Sequence, residues 1–381
     1  MKSVIVSLGK ILFLFKKRIL RGSPKKILII RSAGIGDVLM STPLIRNLKD
    51  TFPQAEIVYV VGAWSRGVLE GNPYISKIID FPDEVIWKKR WFEIGRLIRE
   101  IRRQRADLGF VLERHFLAGV FAFLCGIKFR IGLDRRGEGF ANNRNVTYGP
   151  VRHEVEYYLD LLRSVIDRPY NNQLEVFPSD EDRGVARSLL KRFKIDTDRR
   201  IGIMVGGAEN PGQAAYLKRW PLDHYRSLIR KLITASRDVV IVLFGARSDR
   251  PLNEQLITKG NDRVFNAAGD LTVLQSVTLM ATCNLFITHD SGPMHMAAAS
   301  GVPVISIFGP THPKRYAPLG PHHRYLWKPD RPGALTYDEG KFPQDLKEVE
   351  CMRAVTPDEV MAEVKSYWAV ADGMTTTSGF S

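Results

Sequence analysis

Three loop segments hold residue types whose spacing can do chemistry. The first is Gly34-Ile35-Gly36-Asp37. Glycines let a backbone approach a ligand closely, and a helix opening after them presents free N–H groups to an anion. Asp37 can act there as a general base toward a hydroxyl, or it can cap the helix. The second is Gly206-Gly207-Ala208, followed by Lys218-Arg219-Trp220-Pro221. A glycine turn with two adjacent cations suits a diphosphate, and a solvated basic loop before a helix has the same composition. The third runs from Thr288 through His289, Asp290, Ser291, Gly292, Pro293 and Met294 to His295. Asp290 or Ser291 can cap the helix, Pro293 suits its first position, and the amides of 291–294 form an anion site. His295 has no His, Cys or Glu at fixed helical spacing, so a structural or diphosphate-bonding role fits it better than metal ligation. Gly309-Pro310-Thr311 ends the next apolar run.

A dinucleotide fingerprint is incomplete: Leu39 stands where a third glycine is needed, and Gly62-Ala63 where an acidic residue should follow the second strand. NAD is therefore disfavoured. No cofactor, metal or acidic metal cluster is expected.

The elements that must position these loops alternate between strand and helix. Residues 25–32, KKILIIRS, are a near-continuous apolar run of the kind that forms a parallel strand covered on both faces. A helix through PLIRNLKDTF follows, kinked at Pro43 or starting at Thr42, then strands EIVYVVG, KIIDF and DLGFVLE, with the basic helix WFEIGRLIREIRRQ before the last. FLAGVFAFLCGI reads as an apolar helix, GLDRRGEGFANNRNVTYG as a loop, and EVEYYLDLLRSVI as a helix. A second alternation begins at DRGVARSLLKRF and runs to PVISIFG. Thr356, Pro357 and Glu359 signal a final helix. The fold class is thus α/β, two Rossmann-like doubly wound domains facing a central cleft, with ligands at the carboxyl ends of the strands. The expected divisions are an arm at 1–22, an acceptor domain at 23–172, a linker at 173–180, a donor domain at 181–355, a helix at 356–370 and a disordered tail at 371–381.

The charge distribution adds a partner. The chain carries +15 overall; residues 1–105 hold 21 Lys/Arg against 9 Asp/Glu and the remainder 35 against 32, so +12 of the excess lies in the first third. No stretch reaches the roughly 18 uninterrupted apolar residues of a membrane span. Three dispersed cysteines, Cys125, Cys283 and Cys351, form neither a disulfide framework nor a four-thiolate zinc site, which suits a cytoplasmic protein. Residues 3–22 join an apolar run to Lys16, Lys17, Arg18 and Arg21, the reverse of a signal peptide's order. The segment is either an interfacial anchor on an anionic membrane surface or a first helix packed on the body. Arg114 and His115 follow a strand, and Arg135, Arg136 and Arg144 lie in the next loop. An anionic acceptor would account for them, as would ordinary surface arginines. With no RNA or DNA motif, nucleic acid is not an expected partner.

The order and spacing of IIRSAGIGDVLMSTPLI, of GGA with KRWP, and of AAGDLTVLQSVTLMATCNLFITHDSGPMHMAAASGVPVISIFGPTHPKRYAP resemble glycosyltransferase family 9, the bacterial ADP-heptose:lipopolysaccharide heptosyltransferases, over residues 25–368. The resemblance implies a GT-B architecture and inverting transfer from a nucleotide-diphospho-sugar, ADP-heptose, to a lipopolysaccharide core, with Asp37 as the base. It implies Lys218 on the donor phosphates, with Asp290 to Pro293 framing the donor. Gly206, Gly207, Arg219, His295 and Thr311 join that donor set, and Gly34, Gly36, Arg114, His115, Arg135 and Arg136 face the acceptor. Such an enzyme would sit peripherally on the inner face of the cytoplasmic membrane. His289, where many relatives have Asn, is a departure. An epimerase of the same architecture and a basic nucleic-acid-binding protein are the alternatives.

Overall fold

The computed structural model of the chain describes residues 2–13, 22–32, 34–82, 91–197, 199–207, 215–258, 260–335 and 349–371. It divides into two compact units, Met1–Phe177 and Pro178–Ser381. Ala208, the cations at 16–21 and the tail beyond Ala371 lie outside the described residues.

In the first unit the chain order is α1 (Lys2–Phe13), β1 (Lys26–Arg31), α2 (Ile35–Met40), α3 (Thr42–Thr51), β2 (Glu56–Gly62), β3 (Lys77–Phe81), α4 (Trp91–Gln104), β4 (Leu108–Val111), α5 (Phe116–Leu124), β5 (Phe129–Asp134), β6 (Arg144–Thr147) and α6 (Glu154–Arg163). The strands form one sheet in the order β3-β2-β1-β4-β5-β6. β1 pairs in parallel with both β2 and β4, so successive strands are added in opposite directions from it. That reversal leaves a crevice outside the carboxyl ends of β1 and β4. Residues Ile27 to Ile30 are buried on both faces, which explains the unbroken apolar run. Pro43 does not kink a helix: α2 ends at Met40 and α3 starts at Thr42 with the proline in its first turn.

One expectation needs correction. The stretch 132–149 is not a loop throughout, because β5 extends to Asp134 and β6 occupies Arg144–Thr147 at the sheet edge. Its polar composition hid an edge strand that is mostly exposed. The 173–180 stretch carries the division between the two units, after Phe177, and its first residues bond to α3. Arg46 pairs with Glu175 at 2.6 Å, the Glu175 amide donates to Thr42 Oγ1 at 3.0 Å, and Asn47 Nδ2 donates to the Asn171 carbonyl at 2.7 Å.

α1 packs on the body of this unit. Val6 is buried, the Phe13 ring meets Phe123 edge-on at 4.9 Å and lies 5.7 Å from Phe140, and Gly9 leaves room for the Phe140 ring. The described part of the arm is therefore a seated helix. No helix among the described residues is long and apolar enough to cross a membrane.

The second unit runs α7 (Asp180–Arg192), β7 (Arg200–Met204), α8 (Leu222–Ala235), β8 (Val240–Phe244), α9 (Arg250–Glu254), β9 (Val264–Asn266), α10 (Val273–Met280), β10 (Leu285–His289), α11 (Gly292–Ala299), β11 (Val304–Phe308), α12 (Pro313–Tyr316), β12 (Arg324–Trp327), α13 (Glu350–Arg353) and α14 (Pro357–Ala371). Its sheet order is β12-β11-β10-β7-β8-β9, with the reversal now at β7 and β10. Capping boxes start α7 at Ser179 and α10 at Thr272. Thr356 and Glu359 bond reciprocally at the start of α14.

Gly9→Val should lower stability by about 1–3 kcal/mol, because an added Cβ alone would lie 2.5 Å from the Phe140 ring. Scanning calorimetry reads this directly. An unchanged melting temperature would mean that α1 is not seated.

Candidate active site

Each unit brings its candidate residues to the crevice where its strand order reverses. In the first unit Asp37 is the third residue of α2, whose N-cap is Gly34 at φ 84°. Asp37 is thus not the capping residue. Its carboxylate accepts from Arg31 at 2.7 Å, and the same guanidinium reaches Glu113 at 2.7 Å through its other terminal nitrogen. Glu113 is anchored in turn by the amide and hydroxyl of Ser32, both at 2.8 Å. The Arg31 side chain is only 9% exposed, against 26% for Asp37 and 22% for Glu113. Burial alone would lower the guanidinium's pKa, but the carboxylates of Asp37 and Glu113 more than offset it and hold Arg31 well above its ordinary value. The result is a fixed cation behind two partly open carboxylates.

Gly34 is required in this turn. Its positive φ is disfavoured for side chains, and a Cβ would lie 2.5 Å from Asp37 Oδ2. Gly36 is the second residue of the same helix. Tyr158 of α6 is buried within electrostatic reach of Arg31 and Asp37, and burial pushes its phenol well above its usual value.

The five arginine and histidine residues offered for an anionic acceptor are unequal. Arg114 pairs with buried Glu154 at 3.2 Å and lies over the Tyr148 ring at 4.5 Å. His115 caps α5 by accepting from the Leu117 amide. Arg135 contacts Glu138 at 3.5 Å. Arg136, at φ 57°, is exposed. Arg144 reaches the carbonyl of Ser164.

In the second unit Lys218 pairs with Asp290 at 2.8 Å, and the Thr311 hydroxyl donates to the same carboxylate oxygen at 2.7 Å. Burial would raise the Asp290 pKa, yet Lys218 and the hydroxyl of Thr311 keep it below its usual value. Arg219 donates to the Gly207 carbonyl at 3.0 Å, tying the basic loop to the glycine turn. The loop itself is pinned by Trp220, fully buried, whose indole donates to the Val355 carbonyl at 2.8 Å. Gly206 makes room for Asp249, since a Cβ there would lie 2.1 Å from Asp249 Oδ1. An apolar pocket beside Arg219 is walled by Val205, Leu217, Trp220, Leu252 and Met352.

Ser291 is the N-cap of α11 but makes no side-chain cap bond; its hydroxyl turns to Thr288 Oγ1 and the His289 carbonyl. Gly292 opens the helix and Pro293 stands in its first turn. Of the amides expected to bind an anion, that of Met294 is already taken by the Ser291 carbonyl at 3.1 Å. His295 is buried and acts electrostatically on Asp290. Among the described residues no three His, Cys, Asp or Glu side chains converge on a metal position.

Sequence reasoning missed Arg31, Glu113 and the surroundings of His289. An arginine closing a strand buried on both faces was the available signal, because such a charge needs partners. The Tyr225 hydroxyl donates to the Met204 carbonyl at 2.9 Å and lies 3.2 Å from His289 Nδ1. With its one proton committed, the phenol must accept, so His289 carries its proton on Nδ1. Nε2 is then an acceptor directed toward Gly207, where a Cβ would come within 3.1 Å. Burial, then Arg219, push the His289 pKa down to about 3.

The sequence model described as glycosyltransferase family 9 (heptosyltransferase) matches residues 94–341. The chain belongs to this family. Lipopolysaccharide heptosyltransferase 2 of Salmonella typhimurium is 31% identical over 320 residues, covering 79% of this chain and 87% of that protein. The Escherichia coli protein of the same description is 31% identical over 322 residues, with the same coverage. The solved structure of E. coli ADP-heptose lps heptosyltransferase II superimposes with a TM-score of 0.71 at 26% identity, covering 91% of this chain and 99% of that one. A family 9 member is a glycosyltransferase, and the two parallel sheets are those of its GT-B fold. The family match takes in the second-unit loops and begins after Asp37.

Because the His289 pKa is about 3 in the folded chain and near 6.5 unfolded, folding excludes a proton that the unfolded chain binds. Its neutral form is fully compatible with folding above about pH 6.5, and stability is lost as pH falls toward 3. Relative to His289→Asn, the parent should lose up to about 1.4 kcal/mol per pH unit between pH 6 and 4 in urea melts. A constant difference across that range would mean that folded His289 takes the proton.

Proposed function

We propose that the chain transfers heptose from ADP-heptose to a lipopolysaccharide core, with inversion, using Asp37 as the general base. The observation that carries this reading is Asp37 itself: a quarter-exposed carboxylate fixed by a buried arginine at the strand-order reversal of a family 9 unit. Relatives named as lipopolysaccharide heptosyltransferases supply the substrate class.

In the reaction, Asp37 accepts the proton of an acceptor hydroxyl as its oxygen attacks the anomeric carbon. The bond from that carbon to the diphosphate breaks, and the electron pair leaves with the nucleoside diphosphate. Lys218 and Arg219 stabilise the leaving charge, a kind of preorganised electrostatic contribution worth about 3–4 kcal/mol per donor in other enzymes. Lys218 begins paired to Asp290, which also keeps Thr311, so a diphosphate can share or replace that carboxylate without leaving it unbonded. His289 Nε2 offers a fixed acceptor beside Gly207 to a donor hydroxyl. Of the proposed acceptor contacts, Arg136 has the exposed cation, whereas Arg114 and His115 serve the structure around them. The scheme needs no cofactor. The enzyme would work at the anionic inner face of the cytoplasmic membrane, with Lys16, Lys17, Arg18 and Arg21, which follow the seated α1 in sequence, contributing cations.

A panel of nucleotide sugars, each assayed with and without lipopolysaccharide core, tests the reading. Acceptor-dependent release of ADP from ADP-heptose is expected; conversion of a donor without acceptor would indicate an epimerase. In the same assay Asp37→Asn, an isosteric change, should lower turnover about 10²–10⁴-fold while ADP affinity is retained. Turnover equal to the parent would remove the base role from Asp37.

A further inference from the structure

The basic helix and the apolar helix of the first unit form a surface that catalysis leaves unused. Phe92, Arg96, Arg99 and Arg103 recur on one face of α4 at helical spacing, and all four are exposed, Phe92 to 90%. On α5, Leu117 and Leu124 are one stripe seven residues apart, 56% and 43% exposed. Three large apolar side chains thus stand exposed beside cations on two neighbouring helices. The two helices are neighbours: Leu97 and Ile101 of α4 share a core with Ala122 and Cys125, and Arg102 Nε donates to the Leu124 carbonyl at 2.7 Å. α1 continues the surface through Phe13, which packs on Phe123 of α5, and it exposes Leu8.

We infer that this α4–α5 face docks on an anionic lipid bilayer, with Phe92, Leu117 and Leu124 in the interface and Arg96, Arg99 and Arg103 on headgroups. The inference deepens the lipopolysaccharide reading and rests on it. Charge complementarity selects the bilayer: residues 1–105 carry +12, and the solvent face of α4 places three arginines beside the exposed Phe92, each cation near an anionic surface contributing about 1 kcal/mol. Position agrees with it. α5 starts three residues after Glu113, the partner of Arg31, so Leu117 lies at the same strand-carboxyl edge as Asp37. A membrane held there presents a lipid-anchored acceptor to the edge that carries the base. Docking thus involves a surface of the folded unit and not residues 1–22 alone.

The test uses the full chain, sedimented with vesicles of phosphatidylglycerol and phosphatidylcholine and with phosphatidylcholine alone. Two triple variants are compared, Phe92→Ser/Leu117→Ser/Leu124→Ser and Arg96→Gln/Arg99→Gln/Arg103→Gln, with melting temperatures confirming their fold. Each should bind anionic vesicles at least tenfold more weakly than the parent, while transfer to a soluble, deacylated core is unchanged. Parental vesicle binding in both variants would overturn this footprint and leave the arm as the anchor. Failure of the parent itself to bind anionic vesicles, or tighter binding to duplex DNA than to vesicles, would overturn membrane docking altogether. Transfer to the soluble acceptor reports separately on the catalytic reading.

Discussion

A buried guanidinium between two carboxylates organises the first unit. Arg31 ends a strand covered on both sides, where an unpaired charge would be prohibitively costly, and its two carboxylate partners must therefore be brought to it. Glu113 comes from the segment just after the neighbouring strand β4 and Asp37 from the first turn of α2, just after β1, so the pairing fixes both sides of the crevice at once. The catalytic proposal depends on this restraint, because a general base must be held within hydrogen-bond reach of its substrate.

The second unit solves a related problem differently. Its buried carboxylate, Asp290, is held by a lysine and a threonine, and the buried imidazole beside it is kept neutral. The basic loop bearing Lys218 and Arg219 is fixed by Trp220 within the core and by the Gly207 carbonyl. Under the proposed reaction, these two cations are positioned before the diphosphate leaves, which would reduce the reorganisation needed.

Much of this was legible in the sequence because buried parallel strands and their glycine turns have a strong local signature. KIIDF and EIVYVVG correspond residue for residue to β3 and β2. β6 and β12 were not legible, since edge strands with exposed side chains lack the apolar run. The loops bearing Asp37, Lys218 and Asp290 could be found from glycine, proline and charge spacing. What those side chains bind could not, since Arg31–Glu113 and Lys218–Asp290 join residues 82 and 72 positions apart. Arg114 and His115 stand out in the sequence by type alone, which does not reveal that Arg114 pairs with Glu154, 40 positions on, or that His115 caps α5.

The central claim is a single displacement in which Asp37 deprotonates the acceptor and the diphosphate leaves from the opposite face of the sugar. The most direct measurement is the anomeric configuration of the product, read by NMR from isotopically labelled heptose transferred to lipopolysaccharide core. The account predicts a configuration opposite to that of the donor's anomeric carbon. Retention would mean either front-side attack or two successive displacements, and would contradict it.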